Sequence, residues 1–150
     1  MIYYVMEPPD ENPLPQAPKD EKMGAVETSD IDRLGRIDYD ARSGLISDRL
    51  KLLMEKFSLK SDFVPVVYWS KEKQERAVFW RFCPPDYHNF KAIFRNDGIV
   101  SHISHLGNDA PIVFTVRSPS GERSVVTRLA VVESALLRSI FGLKFTRVSE

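Results

Sequence analysis

Hydrophobic and polar positions change period several times along the chain, and each change predicts an element. Leu50, Leu53, Met54 and Phe57 fall at i, i+3, i+4 and i+7, which is one face of a helix over about 47–57. Ser47 stands where a hydroxyl can accept from the free N–H groups of the first turn. Asp48 suits the positive end of the helix dipole and Lys56 the negative end. A second helix is expected over about 129–141, with Glu133 early, Arg138 late and Gly142 where a left-handed stop is usual. Short apolar or alternating runs at 2–6, 63–69, 77–82, 90–95, 112–117, 124–127 and 143–148 read as strands. A polar break at 58–62 separates the first helix from its following strand. Pro65 cannot donate to a ladder, so the run 63–69 is expected at an edge or a bulge. Turns fall at 96–98, 107–109 and 118–121, the last joining its flanking runs as a hairpin.

Two of these passages resemble each other. The run 45–47 leads through the first helix to 63–66, and 125–127 leads through the second to 145–148, with sixteen residues from Ser47 to Phe63 and eighteen from Thr127 to Phe145. Each copy would be strand, hydroxyl cap, helix, strand, burying one apolar helix face on a sheet. The expected fold class is therefore α+β, a mostly antiparallel mixed sheet with two main helices from a loose strand–helix–strand repeat.

Charge divides the chain where periodicity does not. The 150 residues carry 21 Lys or Arg and 21 Asp or Glu. Residues 1–40 hold ten acids against four bases, and residues 41–150 hold eleven against seventeen. The two parts should attract. Pro8, Pro9, Pro13, Pro15 and Pro18 fall in the acidic part, where fixed φ angles and missing donors argue against helix. An N-terminal strand and an extended acidic, Pro-rich arm over 1–40 are expected, lying along the basic remainder or mobile, ahead of an α+β domain over 41–150. At 43% hydrophobic and 28% charged, the composition is that of a soluble globule and not of a disordered or polybasic chain. A single cysteine, Cys83, points to a reducing cytoplasm. No leader-like start and no apolar run of membrane-spanning length is read, so no membrane partner is expected.

Candidate chemistry is sparse. His102 and His105 lie in a strand or loop, where their spacing does not converge on one face, and no local Cys or Glu completes a metal shell. Cys83 and His88 flank Pro84–Pro85, a stiff turn and not a thiolate-stabilising helix start; Cys83 reads as a small buried hydrophobe. Signature loops for nucleotide binding, nucleophile elbows and zinc-protease motifs are absent, so no catalytic residue, metal or cofactor is assigned. The pairs Asp30 with Asp32 and Asp38 with Asp40 read as solvated charges of the arm. Nucleic acid is not expected either. The Lys and Arg residues are spread rather than striped, and Phe79, Trp80 and Phe82 read as core strand residues. What remains is recognition of a protein. Trp69 leads into a charged loop, and Asp86, Tyr87 and His88 follow two prolines; both loops mix aromatic anchors with charge.

The runs 44–50 (Gly-Leu-Ile-Ser-Asp-Arg-Leu), 63–66 (Phe-Val-Pro-Val) and 142–148 (Gly-Leu-Lys-Phe-Thr-Arg-Val), the last preceded by 112–117 (Ile-Val-Phe-Thr-Val-Arg), resemble the bacterial immunity protein family eleven of polymorphic toxin systems, formerly a family of unknown function. The resemblance covers about the last 110 residues. It implies a cytoplasmic antidote that binds a cognate toxin from a neighbouring cell and occludes its active site, and it assigns no individual residue. Trp69, Asp86, Tyr87 and His88, with the arm's Asp30, Asp32, Asp38 and Asp40, are the expected partner-binding residues. The competing expectation is a small cytoplasmic enzyme with an unrecognised site.

Overall fold

A computed structural model describes residues 2–17, 23–57 and 63–148; the expected break at 58–62 and Pro18 lie outside them. In chain order the elements are β1 (Tyr3–Glu7), β2 (Gly24–Glu27), α1 (Ile31–Leu34), β3 (Tyr39–Asp40), β4 (Leu45–Ser47), α2 (Asp48–Lys56), β5 (Val64–Ser70), β6 (Glu75–Arg81), β7 (Lys91–Phe94), β8 (Val100–Ser104), β9 (Val113–Arg117), β10 (Arg123–Arg128), α3 (Leu129–Leu137) and β11 (Lys144–Val148). One sheet has the order β11-β1-β10-β9, a second β2-β5-β6-β4-β3, and β7 with β8 form a separate hairpin. The fold is α+β. Its ladders are antiparallel except for β2 against β5, which is parallel.

The two strand–helix–strand passages adopt the same topology. β4 and β5, joined through α2, both run antiparallel to β6, which lies between them. β10 and β11, joined through α3, both run antiparallel to β1, which lies between them. Each copy is thus a split unit: two parallel strands, a helical crossover and an antiparallel strand inserted from elsewhere in the chain. For the second copy that inserted strand is the N-terminal one.

Helix ends follow local chemistry, with two corrections. Ser47 caps α2, its hydroxyl accepting from Leu50 N–H at 3.2 Å. In the second copy Thr127 does not play this part. Arg128 is the N-cap, with no side-chain bond, and Thr127 is fully buried with its hydroxyl unpartnered among the described residues. The left-handed stop is not Gly142 either. α3 ends at Leu137, and Ser139 turns left-handed (φ +56°), its N–H bonding Leu136 O while Ile140 N–H reaches Ala135 O at 3.0 Å; this is a Schellman closure. Gly142 is needed for a different reason. A Cβ there would stand 2.5 Å from Asp38 N and Oδ2.

Three apolar clusters fill the interior. The central one joins both sheets and both long helices, with Met6, Ile46, Leu50, Leu53, Val125, Val131 and Ala135 among its members. A second lies between the four-stranded sheet and the β7–β8 hairpin, around Tyr3, Val5, Ile103, Phe114 and Val126. The third covers the five-stranded sheet with arm residues, Leu14, Ala17, Ile31, Leu34 and Ile37 against Val66, Tyr68 and Phe79. Neighbouring residues Leu45 and Ile46 divide between the third and first clusters, as alternation along a strand requires.

The described part of the first forty residues is therefore woven through the fold. β1 is an interior strand, and Ile31–Leu34 form a helical turn where only extended chain was expected. Residues 12–15 offer carbonyls that neighbouring donors take up: Arg33 donates to Asn12 O at 2.5 Å, Arg42 to Leu14 O at 2.9 Å and the Tyr68 hydroxyl to Pro15 O at 2.8 Å. Burial raises the Tyr68 phenol to about 12, so it stays a donor. Pro65 sits opposite Trp80 on β6, one residue before the β2 pairing begins at Val66, so the missing donor falls outside that ladder. Cys83, expected to be buried, is exposed.

Candidate protein-binding face

The eight residues singled out from sequence fall in three places. Trp69, Asp30 and Asp32 lie toward the C-terminal ends of the parallel β2–β5 pair. Thr28 N–H bonds Trp69 O at 2.9 Å, Asp30 pairs with Arg33, and Asp32 takes a hydrogen bond from Lys73, which holds that ammonium above its ordinary range. Trp69 is 37% exposed. A polar cleft of about 710 Å³ lies here, lined by Glu27, Thr28, Ser29, Ser70, Lys71 and Glu72.

Asp86, Tyr87 and His88 lie elsewhere, beside β9. Asp86 bridges to Thr115 and pairs with Arg117 at 3.2 Å. Asp86 and His88 are exposed. Tyr87 is not the exposed anchor expected: it is buried, stacked near Phe90, and donates to Asp109 Oδ1 at 2.7 Å. Burial, then that bond, push its phenol pKa up.

Asp38 and Asp40, expected as solvated charges of the arm, are both buried. Asp38 is a junction. Its carboxylate accepts from Arg49 at 2.6 and 2.9 Å, from the Ser47 hydroxyl at 2.5 Å and from Gly142 N–H at 2.7 Å. Those bonds tie the segment after α1 to the start of α2 and to the α3–β11 connection, and the hydrogen-bonded Asp38 carboxylate raises the Arg49 guanidinium pKa against the opposing effect of burial. Asp40 accepts from the Ser43 hydroxyl.

The feature that none of those readings anticipated is apolar. Leu52 on α2 is 53% exposed, and Leu136, Leu137 and Phe141, at and just beyond the end of α3, are 54%, 85% and 66% exposed. Between the helices runs a groove of about 470 Å³, lined by Arg49, Leu52, Leu53, Glu55, Lys56, Arg138 and Ile140. Arg49, Leu52 and Lys56 are spaced i, i+3, i+7, so one ridge of α2 presents a leucine between two cations. Glu55 is drawn to Lys51 at 2.5 Å, and Lys51 lies over the Trp80 ring at 4.2 Å, on α2's sheet-facing flank. The sequence held a signal for this face. Leu52 stands off the stripe formed by Leu50, Leu53, Met54 and Phe57, and α3 carries apolar residues on more than one side.

Cys83, His102 and His105 are not brought together by the fold in any metal-holding arrangement; among the described residues no group of three or more His, Cys, Asp or Glu side chains forms one. His102 and His105 are exposed and bond the neighbouring Ser101 and Ser104 hydroxyls at 2.9 Å. Nor is any helix among the described residues long and apolar enough to cross a membrane. A scan against models of known protein families and a search of curated proteins find no match.

Proposed function

We propose that the chain is an immunity protein, which binds a toxin delivered by a competing cell and neutralises it by covering its active cleft. The observation that carries this reading is that, among the described residues, Leu52 on α2 and Leu136, Leu137 and Phe141 at and beyond the end of α3 are each more than half exposed. Fully covering a leucine or phenylalanine contributes about 1.5–3 kcal/mol, and a few such anchors dominate a tight interface. The sequence resemblance to immunity family eleven supplies the kind of partner; the face supplies the means. The arm's Asp38 and Asp40 are interior bonds in this reading, and Trp69, Asp86 and His88 lie away from the groove residues in sequence and in the elements that hold them.

The test is to ask whether an adjacent gene encodes a secreted protein with a toxic C-terminal domain and to co-express that domain with this chain inside the cell to be protected. Survival and a stable complex in gel filtration are expected. Leu137→Asp should weaken that complex by at least about 2 kcal/mol, with thermal unfolding unchanged, because Leu137 is exposed. No protection and no complex with the wild-type chain would end the proposal.

A further inference from the structure

We infer that the groove between α2 and α3 receives an acidic amphipathic helix of the partner, its leucine-like side chains on Leu52 and its carboxylates on Lys56 and Arg138. This rests on the immunity reading and adds the chemistry of the partner's contacting segment. The cations decide it. Arg49 is already neutralised by Asp38 at 2.6 Å, and Glu55 by Lys51. Among the described residues, neither Lys56 nor Arg138 has a carboxylate partner; Arg138 donates only to Ser134 O, one turn back in its own helix. Among the described residues, two cations without a carboxylate partner therefore line this groove, together with Leu52, Leu53 and Ile140.

The secondary structure of the occupant follows from the walls. One wall is α2 and the other is the turn that closes α3, whose Arg138, Ser139 and Ile140 N–H groups are taken up by Ser134, Ala135 and Leu136 carbonyls, so neither wall offers a free N–H for a strand to pair with, and an amphipathic helix seated by side chains is the matching mode. Six described carboxylates of the molecule's own acidic arm are held elsewhere. Glu7, Asp10, Glu11, Asp30, Asp32 and Asp38 are paired with Arg95, Lys144, Arg36, Arg33, Lys73 and Arg49. A second copy is disfavoured by charge, since a two-fold contact through this face would bring together two surfaces with the same excess of positive charge.

The probe is a fluorescein-labelled synthetic helix with leucines at i, i+3, i+4 and i+7 flanked by glutamates; its control carries lysines in place of the glutamates. Anisotropy titrations use the full chain, Leu52→Asp, and the double variant Lys56→Glu with Arg138→Glu. The acidic helix should bind the wild-type chain, more weakly at high salt, and the lysine helix should not. The double variant should lose affinity for the acidic helix by at least about tenfold and gain it for the lysine helix. Leu52→Asp should abolish binding of both. Should charge reversal impair folding, the milder pair Lys56→Ala and Arg138→Ala is read instead, with the same direction of loss for the acidic helix. Equal binding of the two helices, no binding of either, or a dimer in sedimentation that Leu52→Asp dissolves would overturn the inference. The immunity reading is judged separately. If the double variant still protects cells as well as wild type does, immunity stands and the groove assignment falls; if the wild-type chain fails to protect, immunity falls whatever the peptides do.

Discussion

A carboxylate such as Asp38 can accept about four hydrogen bonds, and here four are made, from three residues in two separate segments of the chain. Removing it strands the Ser47 hydroxyl and the Gly142 N–H in the interior, together with part of the Arg49 guanidinium. Arg49 is 49% exposed, so water rehydrates much of its charge, and the cost comes chiefly from the two buried groups. Asp38→Ala should therefore destabilise by about 3 kcal/mol, the lower end for breaking a buried ion pair, whereas Asp10→Ala, which breaks an exposed pair with Lys144, should cost less than about 1 kcal/mol. Urea unfolding midpoints at constant m decide it; equal losses would mean that Asp38 holds nothing together. The acidic count over 1–40 was legible in the sequence, and the ion pairs from Asp10, Asp32 and Asp38 to Lys144, Lys73 and Arg49 fit the attraction expected between the two parts. Which carboxylate would be buried was not legible. Charge arithmetic is blind to position, and Asp38 is fixed by partners 9, 11 and 104 residues away.

At the scale of elements, what the sequence carried well was periodicity over two turns or more. α2 with its serine cap and the 118–121 hairpin appear as expected, because each is set by contacts within about ten residues; the repeated strand–helix–strand order appears too, its strands completed by β6 and β1 from elsewhere in the chain. Four-residue β2 and α1 and two-residue β3 are too short to show a period, and the parallel β2–β5 ladder depends on pairing across forty residues. The end of α3 shows the same limit in small. A glycine five residues past the helix looked like its stop, yet Ser139 takes the left-handed position and Gly142 serves the contact with Asp38. The two sites should consequently respond in opposite directions. Ser139→Gly removes the cost of holding a Cβ at φ +56° and should stabilise by about 1 kcal/mol, a rise of about 3 °C in Tm for a chain of this size. Gly142→Ala should lower Tm, since its Cβ would meet backbone and carboxylate atoms at 2.5 Å. Calorimetry on both variants checks the assignment, and a fall in Tm for Ser139→Gly would reject the Schellman closure.

For the whole molecule the decisive strand is the first. β1 pairs with β10 on one side and β11 on the other, so it completes the split unit built on α3, while Leu14 seals the opposite face of the five-stranded sheet. Deleting residues 1–17 takes away Tyr3, Val5, Met6 and Leu14, all buried. At about 1.5–3 kcal/mol each, their burial is worth about 6–12 kcal/mol, as much as the entire stability of a typical domain. It also leaves β10 and β11 facing each other across an unfilled strand position, with their backbone donors and acceptors unpaired. The truncated chain, residues 18–150, should therefore show no cooperative thermal transition and no near-ultraviolet circular dichroism of a packed core. A synthetic peptide of residues 1–17 added in trans should restore both, more effectively at low salt because its Glu7 and Asp10 meet Arg95 and Lys144. Cooperative unfolding of 18–150 without the peptide would show that the second split unit closes by itself, and that the N-terminal strand is an appendage to a domain already complete.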